Sequence, residues 1–358
     1  MGILSSWTSF MDDPHHIILR PYWVCGCTYV LLLSVFLLFV LIGWPGGPIG
    51  CIYEEPHDGC YCEAFDLEDV EEGKPGVRQP VNTWFNLFVI IPSSFVAWRM
   101  SQDRKQLFGK DFPESTTEQD EDGEEPRNEG TTSVGGDEAT EIDLTVTSTA
   151  TSFREEGTTV TCATVAKLNN VMLSDNLIAD WYVLTTVFNG LGKMFFHGSL
   201  TRWGTYVDGV SSNFFFAFIP WYTIRRVHHS DQVFWLGYFG TIVVISCAQI
   251  IFGSLLAVYV LMLTYCFMEL YILAAKGVFL GGTCRSVTTW MLAIAVMLVA
   301  TFFWWGSRTG RVMCDPESFW QIHGLVWHPL SDVTMVLLYL YWRDGDDEIL
   351  EERYDDYD

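Results

Sequence analysis

The chain has 358 residues, 49% of them hydrophobic and 15% aromatic, and a formal net charge of -24 at pH 7. So apolar a composition excludes an ordinary soluble domain, and the negative sign argues against nucleic-acid binding, which needs Lys and Arg against phosphate. Several apolar runs reach the roughly 17–25 residues of a spanning helix, which points to a polytopic membrane protein. The acidic charge sits mostly between Arg99 and Lys167 and after Arg343, and the ten cysteines follow no zinc-finger spacing.

Taken in order, residues 1–50 read as a polar cytosolic lead ending at Arg20, followed by an apolar run from Tyr22 to Trp44. That run is too long for the apolar region of a secretory signal and reads as a retained helix. Gly-Pro punctuation follows. Residues 51–99 then hold a polar segment rich in acids and cysteine and the next span, NTWFNLFVIIPSSFVAW, closed by Arg99. Residues 100–170 are dominated by Glu, Asp, Thr, Ser and Gly. They lack apolar periodicity and cannot bury enough surface to offset their ordering entropy, so the expectation is a disordered acidic loop. Residues 171–343 contain six further spans, near 180–198, 207–224, 233–251, 254–275, 288–305 and 320–342, and residues 344–358 form an acidic tail. The expected fold is an all-α membrane helix bundle, a seven-helix core plus one extra amino-terminal transmembrane helix.

With eight spans, Arg20, Arg99, Arg104, Lys105, Arg225, Arg226, Lys276, Arg285 and Arg343 share one side, and the basic bias places both termini in the cytosol. The same parity brings His197, Asp208, His323 and His328 to the opposite border, together with Glu63 and Gln79. A lone membrane histidine is more often a helix–helix hydrogen-bond partner than a ligand. Three imidazoles and a carboxylate at one border, however, suffice for a zinc site with an open position, and ionisable groups at that depth lean functional. His15, His16, His57, His228 and His229 read as surface residues. On a regular helix His323 and His328 would lie about 140° apart. Both can ligate only if the helix begins between them or carries a π-bulge, a distortion that Pro329 favours.

Three patches resemble the alkaline ceramidase family, within a superfamily of seven-helix membrane hydrolases that also contains the progestin and adiponectin receptors. They are CEAF and RQPVNTWFNL between Cys62 and Leu87, GLGKMFFHGSLTRWGTYVD around His197, and VWHPLS around His328. The resemblance implies zinc held by His197, His323 and His328, Asp208 acting on water, and hydrolysis of the N-acyl amide of ceramide to sphingosine and fatty acid. It implies an integral protein of the endoplasmic reticulum or Golgi membrane. It also implies a calcium site in the amino-terminal segment, partly matched by Glu63 and the Tyr61 backbone; Cys60 and Phe65 stand where the family has oxygen ligands, and Gln79 where it has a Glu. Lys193 replaces a family serine that helps hold the oxyanion; the ammonium can take over that task by charge or can repel the metal. The family's histidine pair is separated by three residues, whereas four separate His323 from His328. These departures keep open a receptor-like or inactive member of the same superfamily. Cys62 and Cys314 fall on the expected lumenal side, where disulfides persist; a Cys62–Cys314 bridge is expected, with Cys51 and Cys60 as competitors.

Overall fold

The computed structural model describes residues 14–47, 62–65, 67–108, 153–155, 158–160, 170–252, 256–275 and 285–355. In chain order the helices are α1 (Pro14–Ile42), α2 (Leu67–Glu71), α3 (Pro80–Phe85), α4 (Ile90–Phe108), α5 (Leu177–Ser199), α6 (Arg202–His228), α7 (Asp231–Phe252), α8 (Leu256–Ala275), α9 (Arg285–Gly306) and α10 (His328–Asp355). A 3-10 turn, Asn86–Val89, joins α3 to α4, and a π-helical turn, His323–Trp327, leads into α10.

Among the described residues, four stretches are long and apolar enough to cross a membrane: His16–Ile42, Pro80–Phe108, Asp231–Ile250 and Val287–Gly306. The chain is therefore that of an integral membrane protein. Helices also form at the other stretches read as spans, but α5 and α6 carry Asn189, Lys193, His197, Arg202 and Asp208, which lower their apolarity.

Two boundaries differ from expectation. Helix α4 continues past Arg99 to Phe108, because Asp103 and Arg104 are buried in ion pairs that hold its last turns against the bundle. Helix α10 continues past Arg343 to Asp355, through a stretch in which Glu348, Leu350, Glu351, Glu352 and Arg353 are good helix formers. Within the expected acidic loop, Phe153–Glu155 pairs antiparallel with Thr158–Val160, a short ribbon of β-favouring Phe, Thr and Val. Residues 109–152, 156–157 and 161–169 of that loop lie outside the described residues, as do 1–13 of the lead.

Helix α5 is the axis of the bundle. Asn176 caps its start by accepting from the Ile178 N–H, and Leu200 closes its end in the left-handed conformation at φ 51°. Thr201 then accepts from the Gly204 N–H and starts α6 at once. This tight corner holds the carboxyl end of α5 beside the start of α6. Close approach on both flanks of α5 depends on glycine: a Cβ at Gly190 would meet the Val89 side chain at 2.4 Å, and one at Gly192 would meet Ser211 Oγ at 2.1 Å. On the remaining face, buried Tyr182 donates to the Met335 carbonyl of α10 at 2.6 Å and packs on Phe218 and Trp342.

Arg20, Arg104, Arg226 and Arg343 lie at the end of the bundle away from His197, in ion pairs. Arg104 pairs with Asp180 at 2.8 Å, and Arg20 pairs with the same carboxylate. Arg343 forks onto Asp103 at 2.6 and 2.8 Å, joining α10 to α4. Arg226 reaches Glu269 at 3.0 Å, where Tyr341 donates at 2.6 Å. Burying charge is tolerable only with such pairing.

Candidate metal centre

His197 lies in the last turn of α5, and His323 and His328 bracket the π-turn that opens α10. The ring centroids stand 5.1 Å apart for His197 and His323, 5.4 Å for His197 and His328, and 4.6 Å for His323 and His328. One ring nitrogen from each lies within 4.8 Å of the others, and all three side chains are buried. Residues far apart in the chain thus meet at one point.

The π-turn is what admits both members of the pair. The His328 N–H donates to the His323 carbonyl, an i to i+5 bond that widens the turn by one residue. That extra residue brings His328 back over His323 instead of 140° around the helix. Pro329, following at once, has no N–H to bond back into the widened turn.

The donor set fits a metal ion. Both ring nitrogens of His328 lack a hydrogen-bond partner among the described residues, although only 2% of the residue is exposed. Buried nitrogens of this kind are ordinarily satisfied, and neutral imidazole is a good ligand for first-row transition ions. Three imidazoles leave a coordination position open.

Lys193 lies one helical turn below His197 and lines the same cavity as the histidines and Asp208. Its ammonium donates to Ser331 Oγ at 3.4 Å and sits 5.6 Å from the centre of the Trp327 ring. Asp208 is held on α6 by Ser212, whose hydroxyl donates to Oδ1 at 3.5 Å. Asp332, one turn below His328, is 1% exposed and within electrostatic reach of Lys193. The sequence reading passed over Asp332; its spacing of four from His328 was the available signal.

The cavity has a volume of about 340 Å³. Its polar end is Lys193, His197, Asp208, His323 and His328, and its walls are apolar side chains of α6, α8 and α9, among them Phe216, Met262, Ile294 and Met297. Leu263 and Leu298 also line it while being 59% and 65% exposed, so it opens sideways between α8 and α9. The mouth therefore faces the lipid-exposed flank rather than the end of the bundle.

Glu63 and Gln79 form a polar strap over the histidines. Gln79 Oε1 is 2.8 Å from His197 Nδ1, and Gln79 Nε2 donates to the Glu63 carbonyl at 3.0 Å. Both Glu63 carboxylate oxygens accept backbone N–H groups, from Val81 and Asn82, each at 2.8 Å. These are orphan donors of the first turn of α3, which Gln79 leaves uncapped because its side chain is turned to His197. Burial pushes the Glu63 carboxyl above its ordinary range, and the two N–H donors pull it back. Among the described residues no group of three candidate ligands includes Glu63, and Tyr61 and Cys60 of the expected calcium segment lie outside them. Cys62 is bonded to Cys314, with Cα atoms 5.3 Å apart, and the Ala64 N–H donates to the Pro316 carbonyl at 3.1 Å. Comparison with family models, with curated proteins and with solved structures returns no match.

Proposed function

We propose that the protein is a zinc-dependent membrane amidohydrolase that cleaves the N-acyl amide bond of ceramide to sphingosine and fatty acid, built as a seven-helix core with one added amino-terminal span. The observation that carries this reading is the three-histidine cluster at the polar end of a cavity whose apolar walls open sideways between α8 and α9. That shape suits an amphiphile with its amide at the histidines and its acyl chain along Phe216, Met262 and Met297. A zinc ion held by the three imidazoles supplies Lewis acidity and water activation near neutral pH. Asp208 takes the proton of the attacking water and returns it to the departing amine as the C–N bond breaks and the C–O bond forms. Lys193, steadied by Ser331, donates to the acyl oxygen as negative charge develops there. The disulfide beside the site supports an oxidising compartment on this border, in agreement with the endoplasmic reticulum or Golgi lumen.

A receptor-like or inactive member of the same superfamily is the second reading. The buried ammonium of Lys193 on the cavity wall favours it, because a cation beside the histidines opposes the charge of a metal ion. One experiment separates the two: metal content of the purified protein together with turnover of a fluorescent ceramide in detergent. Turnover that disappears in Asp208→Asn while zinc is retained supports the hydrolase. Zinc without turnover supports the receptor.

A further inference from the structure

We infer that Gln79 is the positioning residue that fixes which nitrogen of His197 is offered to the metal. The inference rests on the metal-binding part of the proposed function and not on turnover. Gln79 Nε2 is committed to the Glu63 carbonyl at 3.0 Å, so the amide oxygen must face the imidazole at 2.8 Å. A carbonyl oxygen accepts only, so His197 Nδ1 carries the proton and donates. The lone pair is then on Nε2, and that nitrogen is the one available to ligate.

The backbone reinforces the same register. The Gln79 N–H donates to the His197 carbonyl at 3.0 Å and the Arg78 N–H donates to the Gly198 carbonyl at 3.0 Å. The end of α5 and the start of α3 are thereby locked together. Gln79 is wholly buried, so water does not compete for the contact. The strap is tied from behind by the Glu63 carboxylate on the Val81 and Asn82 N–H groups and by the Cys62–Cys314 bridge. A partner that holds the far nitrogen of a ligating histidine in this way sets tautomer and ring orientation, and its loss typically weakens a metal 10–100-fold.

The test uses the full chain in detergent and reads zinc affinity by competition with a chromogenic chelator, with the cobalt(II) absorption spectrum as a second readout. Gln79→Leu and Gln79→Glu both lose the bond to the Glu63 carbonyl, but only Leu loses the acceptor for His197 Nδ1. The expected result is a 10–100-fold weaker zinc affinity and an altered cobalt spectrum for Gln79→Leu, with Gln79→Glu near wild type. Equal losses in both variants, or none in Gln79→Leu, overturn the inference. Should the Leu variant fail to fold, 15N spectra of histidine-labelled, metal-free wild type decide: His197 protonated at Nδ1 upholds it, and His197 protonated at Nε2 overturns it.

Discussion

His328 donates its backbone N–H to the carbonyl of His323, and this one i to i+5 bond brings the two imidazoles edge to face with centroids 4.6 Å apart. The widened turn compensates for the fourth intervening residue. Deleting Val326 should convert it to an ordinary α-turn with the two histidines at i and i+4, still on one face. Adding an alanine after Leu325 should instead move His328 off that face. We expect the deletion to keep about one metal per chain and the insertion to keep none, measured by elemental analysis after dialysis. Equal metal content in both would mean that His323 and His328 do not act as a pair.

Lys193 should show two opposite effects. Its charge opposes a metal ion at the histidines, yet its N–H groups line the cavity where the acyl oxygen would lie. Lys193→Met keeps most of the side-chain volume. Zinc should then bind more tightly, while turnover of ceramide falls about 10²–10³-fold, the usual loss of one oxyanion donor. A rise in turnover would assign the ammonium an inhibitory role and favour the receptor-like reading.

The convergence of His197, His323 and His328 was legible because counting apolar runs placed all three at one border, although among the described residues only four of those stretches are long and apolar enough to span. The π-turn was legible as a condition, since two ligands about 140° apart cannot share an ion. Gln79 was placed at this border too, but its contact with His197 was not legible, because it depends on Glu63 supplying the cap of α3 from another segment. The continuation of α4 to Phe108 was hidden likewise: Asp103 and Arg104 look like solvated charge until Arg343 and Asp180 are brought to them from distant helices.

The Arg226–Glu269 pair gives a stability prediction independent of the metal. Glu269 is fully buried and accepts from Thr223, Tyr341 and Arg226. Arg226→Met leaves a buried carboxylate without its countercharge, which should cost about 3–5 kcal/mol. Arg226→Met combined with Glu269→Gln removes both charges and should recover much of that loss. Thermal unfolding of the two variants in one detergent checks this. A double variant as unstable as the single one would show that the hydrogen bonds to Thr223 and Tyr341, rather than charge balance, hold this seam.

Cys62 and Cys314 join segments 252 residues apart in the chain. One leads into the Glu63–Gln79 strap and the other into the turn that carries His323. A bridge across so long a loop restrains the unfolded chain, so replacing both cysteines with serine should cost about 2–4 kcal/mol. It should also free the strap that orients His197. The double serine variant is therefore expected to unfold at a lower temperature and to lose zinc faster to an excess of chelator, while holding about one equivalent before the challenge. An unchanged unfolding temperature with faster zinc loss would confine the bridge to orienting the ligands. A lowered temperature with unchanged zinc loss would mean that Ala64 on Pro316 and Glu63 on α3 hold the strap without it.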